Sequence, residues 1–200
     1  MNQQQTDTSA AIAGPTAPKV GMAVLAGGCF WCLEAVFREL NGVLKVEPGY
    51  CGGSHDTANY EQVCTGATDH AEAVRIQYDQ NQIRYDELLR IFFTIAHDPT
   101  QKDRQGNDRG RQYRSAIFYA SDEQKTAAHA AMETLTRDRV FKEPIVTEVV
   151  SLMPFYLAEA YHHNYAACHV SQPYIAHISA PKVEKLRRNF AAMLRIDPLP

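Results

Sequence analysis

The residues best equipped for chemistry stand together in Gly27-Gly28-Cys29-Phe30-Trp31-Cys32. A thiolate is the nucleophilic form of cysteine. Cys29 falls where an apolar run gives way to a helical pattern, and the free N–H groups at a helix start favour negative charge there. Cys32 follows one helical turn later, which brings the two Cα atoms within the disulfide range of about 4.4–6.8 Å. Two buried hydrophobic side chains would be the bland reading of such a pair. The C-x-x-C spacing on a Gly-Gly turn favours redox chemistry. Trp31 is the only tryptophan in the chain. Core packing is one use for Phe30 and Trp31; an apolar pocket beside the sulfur, suited to a thioether-like group, is the other.

Other chemistry-bearing residues form weaker patterns. His70-Ala71-Glu72 matches the H-x-E half of zinc deaminases, but the required P-C-x-x-C lies downstream in those enzymes and the C-x-x-C here lies upstream. Cys29, Cys32, Cys51 and Cys64 lack the paired spacing of a zinc site. Gly49-Tyr50-Cys51-Gly52-Gly53 fits no phosphate loop and reads as a flexible turn. His162, His163, Cys168 and His169 read as a polar helix end. No metal is expected.

The elements that must position these residues are legible from periodicity. A strand over 20–26 leads into a helix over 29–40, whose Leu33, Val36, Phe37 and Leu40 share a face before Gly42 stops it. Strands are expected over 43–50 and 72–78, the second alternating Val74, Ile76 and Tyr78. Between them lie a loop over 51–59 and a helical turn over 60–64. A helix over 85–96 carries Leu88, Leu89, Phe92, Phe93 and Ala96 in register. Residues 97–112 are an unusually long polar loop, a type often functional. A strand over 113–120 follows, then a helix over 122–137 opened by the capping pattern of Ser121 and Gln124. A strand over 145–150 and a helix over 182–195 close the order. In that last helix Lys182, Lys185, Arg187 and Arg188 read as a solvated face. The first six elements spell βαββαβ. The expectation is an α+β fold: a two-layer sandwich with a ferredoxin-like core, an added helix and strand, and extended termini. Residues 1–18, polar and carrying Pro15 and Pro18, read as a flexible tail, with 19–200 as a single domain.

Composition bounds the function. The 200 residues are 45% apolar and 22% charged, which excludes a mainly disordered chain. A net charge of −3 leaves no positive excess for nucleic acid. The most apolar stretch, 20–33, is shorter than the about 20 residues a membrane span needs. The start has neither a basic region nor an apolar one, so no secretory signal is expected. Five cysteines, an odd number, point to a reducing compartment and a cytoplasmic protein.

The run Gly28-Cys29-Phe30-Trp31-Cys32-Leu33-Glu34 resembles the active-site motif of the peptide methionine sulfoxide reductase A family. Further segments resemble the family in the same order: 49–53, 59–66, 70–74, 97–101, 104–108 and 112–117, with weaker similarity at 158–159, 172–174 and 181–183. The resemblance implies the α+β body of that family, an enzyme that reduces methionine S-sulfoxide, protein-bound or free, and no bound cofactor. It implies Cys29 as the nucleophile and Glu72 as proton donor to the sulfoxide oxygen. It also implies Tyr60 and Tyr113 as hydrogen-bond donors to that oxygen, Asp108 as an orienting group, and Phe30 and Trp31 as the methyl pocket. The oxidised enzyme would be recycled through a disulfide by thioredoxin, or by dithiothreitol in vitro, and would act as a monomer in repair of oxidised proteins. Many members carry a resolving cysteine after Gln-Pro-Tyr, but here Ile175 occupies that position. Cys32 is therefore the expected resolving thiol, with Cys51 and Cys168 as alternatives and Cys64 buried. A thioredoxin-like disulfide exchanger would also use the C-x-x-C pair, and a binder of oxidised peptides would not need it.

Overall fold

The computed structural model describes residues 17–197 and 199. The tail expected over 1–18 lies outside the described residues up to position 16; Ala17 and Pro18 are exposed.

Alternation of small and branched residues builds the first strand, β1 (Val20–Gly27). Its Ala23 and Leu25 face one side and Val24 and Ala26 the other, all buried. The chain then turns at Gly28, whose φ of +89° suits a residue without Cβ; an added Cβ would also meet the Gln105 side chain. Cys29 caps α1 (Phe30–Arg38), one residue later than expected. The helix ends short of Leu40, which instead forms a β-bridge with Leu194. After Gly42, β2 (Val43–Cys51) runs to the site region, followed by α2 (Tyr60–Cys64), with the Asn59 side chain accepting from the Gln62 N–H. Next come β3 (Ala71–Asp79) and α3 (Tyr85–Ile91), which continues as wider helical turns over Phe92–Ala96.

The stretch expected as a loop over 97–112 contains a small hairpin, β4 (Arg104–Gln105) paired with β5 (Asp108–Arg109). The next strand, β6 (Ser115–Tyr119), is shorter than expected because Tyr113 lies in a tight turn, Arg111–Tyr113, before it. Ser121 accepts from the Gln124 N–H and opens α4 (Asp122–Arg137) as read from sequence. The strand expected over 145–150 is β7 (Glu148–Ser151). Three elements follow: β8 (Phe155–Leu157), α5 (Tyr165–Cys168) and α6 (Ala180–Asn189). The first two carry too little periodicity to be read in advance. Pro181 in its first turn starts α6 earlier than the apolar spacing implied, and Phe190 ends it.

The fold is α+β. One sheet has the order β7-β6-β1-β3-β2-β8. Its four central strands pair antiparallel throughout, β6 with β1, β1 with β3, and β3 with β2. The edge strand β7 is parallel to β6. One sheet face, bearing Leu25, Val74, Ile76 and Ile117, packs with Phe37, Leu88, Phe92 and Leu186 of the helices into the main core. The other face carries a smaller cluster of Val24, Ala26, Cys51, Ala71, Ala73 and Phe118, covered by Leu152 and Phe155. Glu72 shares the helix-bearing face with Val74, because alternate residues of a strand point the same way. The pairing of Gly49 with Leu157 brings β8 so close that a Cβ on Gly49 would lie 2.3 Å from the Tyr156 carbonyl oxygen.

Candidate active site

The strand-to-helix turn after β1 sets Cys29 and Phe30 over the end of β3. The Phe30 N–H, one of the free donors at the start of α1, donates to Glu72 Oε2 at 3.0 Å. Sequence-distant residues are brought to the same place by different elements. Tyr60 comes from the start of α2, Asp108 from the β4–β5 hairpin, and Tyr113 from the turn before β6. Together Cys29, Phe30, Trp31, Tyr60, Glu72, Asp108 and Tyr113 line one cavity of about 190 Å³, with Gln172 and Tyr174 completing its wall. A larger hollow of about 690 Å³ lies between α1, α5 and α6 and holds none of these groups. Chemistry, not size, therefore marks the site.

Burial of Glu72 pushes its carboxyl up to about 8, against the Phe30 N–H that lowers it, with Asp108 and Cys32 charge adding to the rise. At neutral pH it carries a proton. Burial also raises the phenols of Tyr60 and Tyr113, so both remain hydrogen-bond donors.

Burial opposes the thiolate that the helix end favours at Cys29. Burial pushes the Cys29 thiol well up, and its hydrogen bond to Cys32 and the Glu72 charge push it further. Desolvation outweighs the helix end. The Cys32 thiol is lowered to about 6, chiefly by the hydrogen bond from Cys29, against its own burial, with Lys182, Tyr174 and Ser179 contributing. A proton on Glu72 removes one of the charges that hold the Cys29 thiol up, so the acid and the nucleophile are linked.

The aromatic wall is fixed from behind by a segment the sequence reading had left aside. Trp31 Nε1 donates to His162 Nδ1 at 3.1 Å, and the indole stacks on Tyr165 with ring centres 3.9 Å apart. His162 is 1% exposed, packed against Phe30 and Tyr60, and is no polar helix end. Asn164, in the left-handed region at φ +54°, gives its N–H to both oxygens of the buried Glu34 carboxylate at 2.9 Å. Glu159 accepts from the Tyr60 N–H and the Tyr50 hydroxyl. Tyr174 donates to Asp108 Oδ2 at 2.5 Å, and Cys32 Sγ lies 3.9 Å from the Tyr174 oxygen. Only the weak similarity at 158–159 and 172–174 hinted at these groups.

The remaining cysteines separate by position. Cys51 is buried in the cluster on the opposite sheet face, its sulfur 3.6 Å from the Met153 carbonyl oxygen. Cys168 is exposed on α5. Cys64 is exposed, not buried as expected, because it ends the short α2 at the surface. Among the described residues no group of three or more His, Cys, Asp or Glu side chains could hold a metal ion. Among them, too, no helix is long and apolar enough to cross a membrane.

Comparison with known proteins places the chain in a family. The family profile described as peptide methionine sulfoxide reductase matches residues 21–194. A peptide methionine sulfoxide reductase MsrA of Nautilia profundicola is 56% identical over 82% of this chain and 92% of its own length. One from Thermus thermophilus is 51% identical over 87% of this chain and 97% of its own. The crystal structure of Mxr1 from Saccharomyces cerevisiae in reduced form superposes with a TM-score of 0.70 at 32% identity, covering 76% of this chain and 87% of that one. The cavity that joins a buried thiol, a protonated carboxyl and an aromatic wall thus lies in a chain that belongs to the peptide methionine sulfoxide reductase family.

Proposed function

We propose that this oxidoreductase reduces methionine S-sulfoxide, in proteins and as the free amino acid, through Cys29. The observation that carries the reading is that Cys29 and the protonated Glu72 carboxyl open on one small cavity with aromatic rings on another wall. A sulfoxide carries a polar oxygen and an apolar methyl on one tetrahedral sulfur. A site with donors on one side and rings on the other accepts one epimer, in keeping with a separate enzyme for each.

The Cys29 sulfur attacks the sulfoxide sulfur. Glu72 delivers its proton to the oxygen, Tyr60 and Tyr113 donate hydrogen bonds to that oxygen, and Asp108 orients this polar side through Tyr174. Phe30 and Trp31 hold the methyl group. The oxygen then passes from the substrate sulfur to the Cys29 sulfur as the bond between the two sulfurs and the substrate S–O bond break, and the thiol proton returns to Glu72, so thiol plus sulfoxide give sulfenic acid plus thioether. Cys32 then attacks the Cys29 sulfenic acid, and a disulfide forms with loss of water. Thioredoxin, or dithiothreitol in vitro, returns both thiols by exchange. The contact between the Cys29 and Cys32 thiols supports Cys32 as resolving thiol over Cys51, which faces the other side of the sheet.

We read 19–200 as one catalytic domain, because residues from Cys29 to Tyr174 converge on one cavity, and as a monomer, as the resemblance to the family implies. The strand order β6-β1-β3-β2 supports a ferredoxin-like βαββαβ unit at its centre, with the helices as the second layer. A cytoplasmic place in repair of oxidatively damaged proteins fits the odd cysteine count. Mass spectrometry of peptides after one turnover without reductant tests the resolving step. A Cys29–Cys32 bond is expected; a bond from Cys29 to Cys51 or Cys168 would remove Cys32 from the mechanism.

A further inference from the structure

Cys32 sits one turn into α1 and is 1% exposed. Cys29, Tyr174, Ser179 and Lys182 all act on its sulfur, and Glu72 faces it from β3. These groups are not equivalent. Tyr174 already gives its proton to Asp108, so it offers the Cys32 sulfur, 3.9 Å away, little donor capacity. Ser179 closes the wide helical turn Ile175–Ser179 and caps α6. It is also 1% exposed, yet its Oγ makes no hydrogen bond. A buried hydroxyl without a partner is costly, and a sulfur carrying a full negative charge would accept a hydrogen bond from it.

Lys182, three residues on, is half-buried rather than part of a solvated face. Its Nζ donates to the Ala96 carbonyl oxygen at 2.8 Å. The ammonium is pinned by a neutral partner, so its charge stays available to the sulfur. The nearby His97 ring is held neutral, its pKa driven down to about 3 by burial.

We propose that Ser179 and Lys182 are positioning residues for the recycling half of the reaction: they hold the Cys32 sulfur as a thiolate ready to attack oxidised Cys29. The inference rests on the reading above that Cys32 is the resolving thiol. In the step it serves, Cys32 S⁻ bonds to the Cys29 sulfur and the S–O bond of the sulfenic acid breaks. The departing hydroxide takes the Glu72 proton and leaves as water. The Cys29 sulfur is thereby reduced and the Cys32 sulfur oxidised.

The test has two parts. Ultraviolet thiolate absorbance is titrated in a Cys29→Ser background, which keeps a hydroxyl donor beside Cys32; the Cys29→Ser, Cys32→Ser double variant supplies the baseline. Ser179→Ala and Lys182→Met are each expected to raise the Cys32 midpoint by about half to one pH unit, and Lys182→Arg to leave it near its starting value. In chains retaining Cys29, methionine release and disulfide formation are timed in one turnover without reductant. The gap between them is expected to widen about three- to tenfold at neutral pH in Ser179→Ala and Lys182→Met, and to close as pH rises. Ser179→Ala alone decides the matter if Lys182→Met does not fold. An unmoved midpoint with the Cys29–Cys32 disulfide still forming at the wild-type rate would overturn this inference alone. A disulfide from Cys29 to Cys51 or Cys168 would overturn the reading beneath it.

Discussion

The carboxyl of Glu72 keeps its proton to about pH 8 because it is sealed beneath the cavity with little polar company beyond the Phe30 N–H. The acid form exists below that value, so kcat/KM is expected to fall as pH rises through about 8. Glu72→Gln should lower kcat/KM by roughly 10²–10⁴ and remove that descending limb; pH–rate profiles of the two proteins check it. The same shift has a stability sign. A folded pKa above the ordinary carboxyl value means the folded state binds the proton more tightly. The penalty is absent below about pH 4.5 and grows until about pH 8. Glu72→Gln should therefore melt higher than wild type above pH 8, with the gap closing near pH 4, as thermal unfolding across pH would reveal. Cys29 stood out through the C-x-x-C on its Gly-Gly turn, whereas the role of Glu72 came only through the resemblance to the family. The upward shift of the Cys29 thiol was not legible, since it comes from burial, a property of the assembled core. The exposure of Cys64 and the burial of His162 were hidden for the same reason.

At the scale of elements, the site depends on a segment whose regular structure is limited to short helical turns. Residues 158–174 reach across α1 and are tied down by the Glu34–Asn164 bonds, the His162–Trp31 bond and the Trp31–Tyr165 stack. Glu34→Ala would leave the half-buried Asn164 N–H without its acceptor, at a cost of about 1 kcal/mol. It should lower Tm and raise KM for sulfoxide more than it lowers kcat, because the tryptophan wall loosens while Cys29 and Glu72 stay in place. Comparable losses in both constants would contradict that division. Strands β1, β3 and β6 and helices α1, α3 and α4 were legible from periods of two and 3.6. The β4–β5 hairpin and β8 were not: two or three residues are too few to show a period, and their pairing is decided by distant partners.

Across the whole molecule, the C-terminal stretch straps the helices to the sheet. Phe190, Met193, Leu194 and Leu199 pack on the main core, and the Asn41 N–H and Glu39 carbonyl pair with Met193 and Arg195. Deleting residues 190–200 should remove a few kcal/mol of apolar burial and lower the denaturation midpoint; an unchanged midpoint would show that the strap carries no stability. The α+β class followed from element order, but the strand order β7-β6-β1-β3-β2-β8 joins residues far apart in the chain and needed the structure. The central claim is that one small cavity passes the sulfoxide oxygen of a single epimer to Cys29. Turnover of the two separated methionine sulfoxide epimers with dithiothreitol, by wild type and by Cys29→Ser, tests it most directly. The account predicts turnover of the S epimer only, abolished in Cys29→Ser; equal turnover of both epimers, or activity that survives Cys29→Ser, would contradict it.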